Sequence, residues 1–116
     1  MTHTVHTPIE IYDTGADIVL EGQRRASMYV LVSGAVALKK KGRIIRIVDT
    51  PNDFFGELFL LAGEPAAFSA AAIRPSKLLR IEEPDFERII QTNGKFALKI
   101  IKVLSERFRD KTGEPG

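Results

Sequence analysis

A chain of 116 residues is long enough for one domain with a packed core and too short for two, and the absence of cysteine removes a disulfide framework, a thiol nucleophile and thiolate metal ligands together. Hydrophobic residues at 44% and charged residues at 28% exclude wholesale disorder, and a formal net charge of +2 makes no bulk electrostatic demand for nucleic acid or a membrane surface. No apolar run approaches the ~18 residues of a membrane span, and MTHTVHTPIE lacks both the basic patch and the apolar core of a secretion signal, so a cytoplasmic chain without a membrane partner is expected.

Residues 1–8, rich in Thr and His, read as a flexible tail. From Ile9 onward, short apolar runs alternate with turn signals, the pattern of an all-β sandwich or barrel. IEIY, DIVLE, SMYVLVS, AVALKKK and RIIRIVD are the expected strands, broken at Thr14-Gly15, Glu21-Gly22, Ser33-Gly34, Lys41-Gly42 and Pro51-Asn52-Asp53. SMYVLVS is apolar on both faces near its middle, which predicts burial on both sides. Lys39-Lys40-Lys41 ends at a turn, where it reads either as a solvated hairpin tip or as an anion patch.

FFGELFLLAG is expected to form a short helix, and AAFSAAAIR and KLLRIE two further strands. Glu83-Pro84-Asp85 then opens a helix, with Pro suited to a first turn and acids favourable at the positive helix end. That helix stops near Asn93-Gly94. A longer one follows over GKFALKIIKVLSERFRDK, where Ala97, Ile100, Ile101, Leu104 and Phe108 recur at helical spacing and could pack on the chain's own strands or on a second copy.

Catalytic readings fail early, and no catalytic or metal-binding residue is assigned. The only histidines, His3 and His6, fall in the tail, so no Ser-His-acid set can form in the core and no imidazole cluster can hold a metal. A P-loop and a dinucleotide fingerprint are both absent. Phe55-Gly56-Glu57-Leu58 has more specific content. Gly56 permits a tight turn and close approach to a ligand, and the first amides of the next helix can hold a phosphate. The plainer alternative makes Gly56 a turn residue and Glu57 a helix-start acid.

Gly15-Ala16-Asp17-Ile18, Glu21-Gly22, Met28-Tyr29-Val30-Leu31-Val32-Ser33-Gly34 and Phe54-Phe55-Gly56-Glu57-Leu58 occur in that order. With this spacing the chain, from about Ile9 to Arg109, resembles the cyclic nucleotide-binding domain of catabolite-activator-type regulators, protein kinase A regulatory subunits and cyclic nucleotide-gated channels. The resemblance implies a mainly β fold: an eight-stranded β-roll over residues 9–82, a short helix in its phosphate-binding cassette, and two C-terminal helices over 84–111, in a single domain. It implies that Glu57 bonds a ribose 2′-hydroxyl and that helix-start amides around Gly56, Glu57 and Leu58 hold the cyclic phosphate of cAMP or cGMP, with no separate cofactor. The last helix would supply a lid and, through Ile100, Ile101, Leu104 and Phe108, a dimer seam.

The same resemblance exposes departures. The family's cassette closes with Pro-Arg-(Ala or Ser)-Ala-(Thr or Ser), the Arg pairing with phosphate. Here Pro65-Ala66-Ala67-Phe68-Ser69 keeps Pro65 and Ser69, puts Ala66 where the Arg belongs, and replaces a small residue by Phe68. Ala26 stands where kinase-type members orient that Arg with an acid. A charge-assisted hydrogen bond contributes roughly 1.5–3 kcal/mol, so at ~1.4 kcal/mol per tenfold a micromolar-class site falls towards millimolar. Arg24 or Arg25 could supply a guanidinium from the neighbouring loop, or both are solvated; Phe68 fills phosphate space if its ring points inward. Two functions follow. One is a regulatory, ligand-sensing domain with weakened or altered cyclic nucleotide binding and no effector of its own. The other is a non-binding β-roll that acts as a dimerisation or protein-interaction module through its last helix. The partners expected are a second copy or a separate effector protein, and not nucleic acid.

Overall fold

The computed structural model describes residues 8–24 and 27–112, for 107–112 the backbone alone. His3, His6, Arg25, Ala26, the tail before residue 8 and the Phe108 side chain lie outside the described residues. The chain divides into two compact units, residues 6–83 and a unit holding residues 84–116.

In the first unit the strands are β1 (Ile9–Tyr12), β2 (Asp17–Val19), β3 (Met28–Ser33), β4 (Val36–Lys40), β5 (Arg43–Val48), β6 (Phe54–Phe55), β7 (Ser69–Ala72) and β8 (Ser76–Ile81), with helix α1 (Glu57–Ala62) between β6 and β7. They form two four-stranded sheets, ordered β1-β8-β3-β6 and β2-β7-β4-β5. Every pairing is antiparallel. This is the mainly β roll with a cassette helix that the resemblance implied.

Burial explains the order. Met28, Tyr29, Val30 and Leu31 are all buried, as their unbroken apolar run requires, and Val36, Leu38, Val48, Phe55 and Leu78 join Leu31 in one apolar cluster. The run expected to be helical from Phe54 divides instead. Phe54 and Phe55 pair with Val30 and Tyr29 as β6, and the helix starts only at Glu57. The strand expected over AAFSAAAIR is likewise shorter, because Ala66, Ala67 and Phe68 belong to the loop before β7.

Two corners are set by glycine. Gly34 has φ 102°, and a Cβ there would lie 2.5 Å from the Pro75 carbonyl oxygen. Beneath it, the buried Ser76 hydroxyl accepts from the Ala35 amide at 3.0 Å and donates to the Arg74 carbonyl at 2.7 Å. Lys41 and Gly42, at φ 51° and 80°, make the two-residue turn that suits a twisted hairpin.

Polar contacts tie the sheets. Arg46 on β5 pairs with Asp53 and donates to the Phe54 carbonyl at 3.4 Å, which links the edge strands β5 and β6. The Asp53 carboxylate also accepts from the Phe54 amide at 2.8 Å. On β1 and β8, Glu10 accepts from the Tyr12 hydroxyl and pairs with Arg80 at 3.0 Å. Burial, reinforced by the Glu10 hydrogen bond, pushes the Tyr12 hydroxyl well above the usual phenol range. Burial and the Glu10 charge raise Tyr29.

In the second unit, α2 (Glu83–Thr92) and α3 (Gly94–Thr112) meet across one residue. Asn93 donates its amide to the Ile89 carbonyl at 2.7 Å, while its side-chain oxygen accepts from the Phe96 amide at 3.1 Å. It ends α2, as Asn93-Gly94 promised, and also caps α3. The helix face expected from spacing is split: Ile100 is buried and Leu104 half-buried, whereas Ile101 is 60% exposed beside an exposed Leu98.

Candidate functional site

The site is built on β6, α1 and the loop before β7. β6 holds Phe54 and Phe55 in the core, and the chain then turns at Gly56 with φ 88°. A Cβ at Gly56 would lie 2.6 Å from the Ser27 carbonyl oxygen and 3.3 Å from Met28 Cα, so glycine is needed for α1 to start so close to β3. No side chain caps α1. Glu57, the first helical residue, is only 5% exposed, which sets a carboxylate inside the unit at the positive end of a helix. Leu58 is exposed, Phe59 is buried, and Gly63 ends the helix at φ 65°.

The second half of the site is apolar. Ala66, 3% exposed, belongs to the core cluster with Phe55 and Phe59. Its backbone is tied at both ends to the loop after β2: its amide donates to the Gln23 carbonyl at 2.9 Å and its carbonyl accepts from Gly22 at 2.7 Å. That loop is closed in turn by Gln23, whose side-chain oxygen accepts from the Leu20 amide at 3.1 Å. Phe68 turns inward. Its ring centroid lies 4.9 Å from that of Phe59 and 6.3 Å from that of Phe55, and Phe55 stacks on Tyr29 at 5.5 Å. The Ser69 hydroxyl donates to the Lys39 carbonyl at 3.4 Å.

Of the residues singled out in the sequence, Phe55, Gly56, Glu57 and Leu58 are contiguous at the start of α1, and Ala66 joins them through the core. Pro65 and Ala67 are exposed. Arg24 is exposed in the loop after β2, and Arg25 lies outside the described residues. Ile100, Ile101 and Leu104 belong to the other unit. Sequence reading left the direction of Phe68 open and missed its partner Phe59, the Ala66 tether to Gly22 and Gln23, and the Arg46–Asp53 link. Only the last left a trace, the second cation, Arg46, inside the apolar run RIIRIV.

Among the described residues, no group of three or more His, Cys, Asp or Glu side chains is placed to hold a metal. No described helix is long and apolar enough to cross a membrane. The arrangement therefore offers a buried carboxylate and helix-start amides on one side and aromatic and methyl surface on the other.

The family described as the cyclic nucleotide-binding domain matches residues 9–93. The chain belongs to that family. Over 85 residues it is 34% identical to the cAMP-dependent protein kinase regulatory subunit of Neurospora crassa, a match covering 68% of this chain and 21% of that protein, so the chain spans about a fifth of the curated relative. The catabolite activator protein of Thermus thermophilus superposes with a TM-score of 0.81 at 24% identity, over 91% of this chain and 52% of that one. The sensor domain of the transcriptional regulator DNR from Pseudomonas aeruginosa gives 0.71 at 23% identity, over 94% and 76%. These two structural likenesses speak for the fold.

Proposed function

We propose that this cyclic nucleotide-binding domain works as a ligand-sensing regulatory module, not an enzyme, and that it takes a cyclic nucleotide weakly, through the ribose and helix-start half of its site. The observation that carries the reading is Ala66, buried among Phe55 and Phe59 at the position where the family places its phosphate-pairing Arg. Glu57 accepts from a ribose hydroxyl, and the amides at the start of α1 face the phosphate. The charge-assisted contact that would complete the site is missing, a loss of roughly 1.5–3 kcal/mol. The name of the Neurospora relative makes cAMP the first ligand to test, with cGMP beside it.

Titration calorimetry to millimolar concentration tests this. The expected result is saturable binding in the millimolar range for the unaltered chain. Phe68 packs against the core cluster that holds Ala66, so the tightening of at least ~tenfold that a restored ion pair brings is expected from Ala66→Arg combined with Phe68→Ala, which makes room for the longer side chain. Silence from both nucleotides with both proteins overturns the reading. A second reading, an interaction module acting through α3, rests on the exposed Leu98 and Ile101. It predicts a dimer in sedimentation that Ile101→Asp converts to monomer.

A further inference from the structure

The β4–β5 hairpin carries features that the ligand site does not use. β5 is an edge strand: among the described residues it pairs with β4 alone. Edge strands present unpaired backbone donors and acceptors, and charge usually blunts them. Here Ile44, Ile45 and Ile47 are 58%, 53% and 41% exposed. The register sets Ile47 across from Ala37, and Ala37 across from Ala71, so the strands beside Ile47 offer only methyl groups. Ile45 falls where the register shifts between Leu38 and Lys39, which leaves it outside the regular pairing.

The charge on this hairpin has one sign. Lys39, Lys40, Lys41, Arg43 and Arg46 are its ionisable residues, with no acid from Val36 to Val48. Arg46 is engaged by Asp53 and the Phe54 carbonyl. Glu21 reaches the hairpin, where its carboxylate accepts from the Lys41 amide at 3.0 Å. Lys40 and Arg43 face each other across the strand pair just before the turn, both exposed, so like charges stand opposite one another at the open end.

A second copy would bring the same all-cation hairpin alongside, which works against self-pairing. An extended segment alternating carboxylates with β-branched residues answers each feature at once, by pairing with the open backbone, covering the isoleucines and neutralising Lys40 and Arg43. We propose that the β5 edge, residues 43–47, receives an acidic, extended segment of a partner protein as an added strand.

The probe is a fluorescein-labelled heptapeptide of alternating valine and glutamate, titrated with the full chain and read by anisotropy, with amide hydrogen exchange in parallel. Saturable binding is expected, weakened several-fold at roughly 0.5 M salt, with new protection confined to residues 43–47. The exposed pair Lys40→Glu with Arg43→Glu, checked for folding by circular dichroism, is expected to lose at least ~tenfold in affinity for this peptide and to gain a valine–lysine peptide. Ile47→Lys gives an independent variant and is expected to weaken both. The proposal is overturned by no saturation up to millimolar peptide, by unchanged affinity after charge reversal, or by protection elsewhere. Capture by phosphatidylserine vesicles without peptide binding also overturns it and assigns the patch to a membrane surface.

Discussion

The two halves of the cassette answer to different constraints. At Gly56 the fold itself demands glycine, because any Cβ would strike the Ser27 carbonyl; its presence would be required even without a ligand. Glu57 is different. A carboxylate held at 5% exposure is not what an apolar core asks for, and its burial depends on polar partners rather than on shape. Across the site, Ala66 and Phe68 behave as ordinary core, tied by backbone hydrogen bonds and aromatic packing. Adjacent residues of one motif can thus be held by different forces, Gly56 by backbone clearance and Glu57 by polar pairing.

The largest expected effect falls on the packing side. Gly56→Ala should lose about 2–4 kcal/mol of unfolding free energy in urea, from backbone strain plus the overlap with Ser27; a loss under about 0.5 kcal/mol would show that the corner can relax. Phe68→Ala should cost about 2 kcal/mol, below the range for a fully buried Phe because the ring is only half-buried. If the ring also closes the site, the same variant should bind cAMP more tightly despite its lower stability. Lower stability with unchanged binding would make Phe68 a packing residue and nothing more. Arg46→Ala should cost about 1 kcal/mol or less, since both partners of the Asp53 pair are partly solvated, and the difference should shrink in high salt.

An alkaline test probes a region away from the cassette. Tyr12 and Tyr29 have folded values raised above the ordinary 10.0, chiefly by burial. A raised value means that the neutral phenol is favoured in the folded state. Their contribution is fully present below the unfolded value and is lost as pH rises through the folded one. Folded protein should therefore show no phenolate absorbance near pH ~10, and Tyr12→Phe should flatten the loss of stability above that pH. Phenolate appearing near pH ~10 without unfolding would contradict the burial.

Much of the fold was legible in the sequence because strands such as Met28–Ser33 declare themselves by apolar runs and bounding glycines. β6 did not, since two phenylalanines before a helix have no period of their own and become a strand only by pairing with Val30 and Tyr29. The helix-start half of the site could be read locally, as Gly56 and Glu57 are adjacent. The direction of Phe68 could not, because it is set by Phe59, nine positions earlier, and by Phe55. On α3, spacing grouped Ile100 with Ile101, yet neighbours on a helix stand roughly 100° apart, and one is buried while the other is exposed.

The single residue between α2 and α3 also has a mechanical meaning. Asn93 holds the last turn of one helix with its backbone and the first turn of the next with its side chain, so the connection has no slack. With one residue between the helices there is little chain to absorb a displacement, and loosening α3 at Asn93 means breaking both its side-chain bond to Phe96 and its carbonyl bond to the Ala97 amide. Asn93 is therefore a fastening shared by both helix ends.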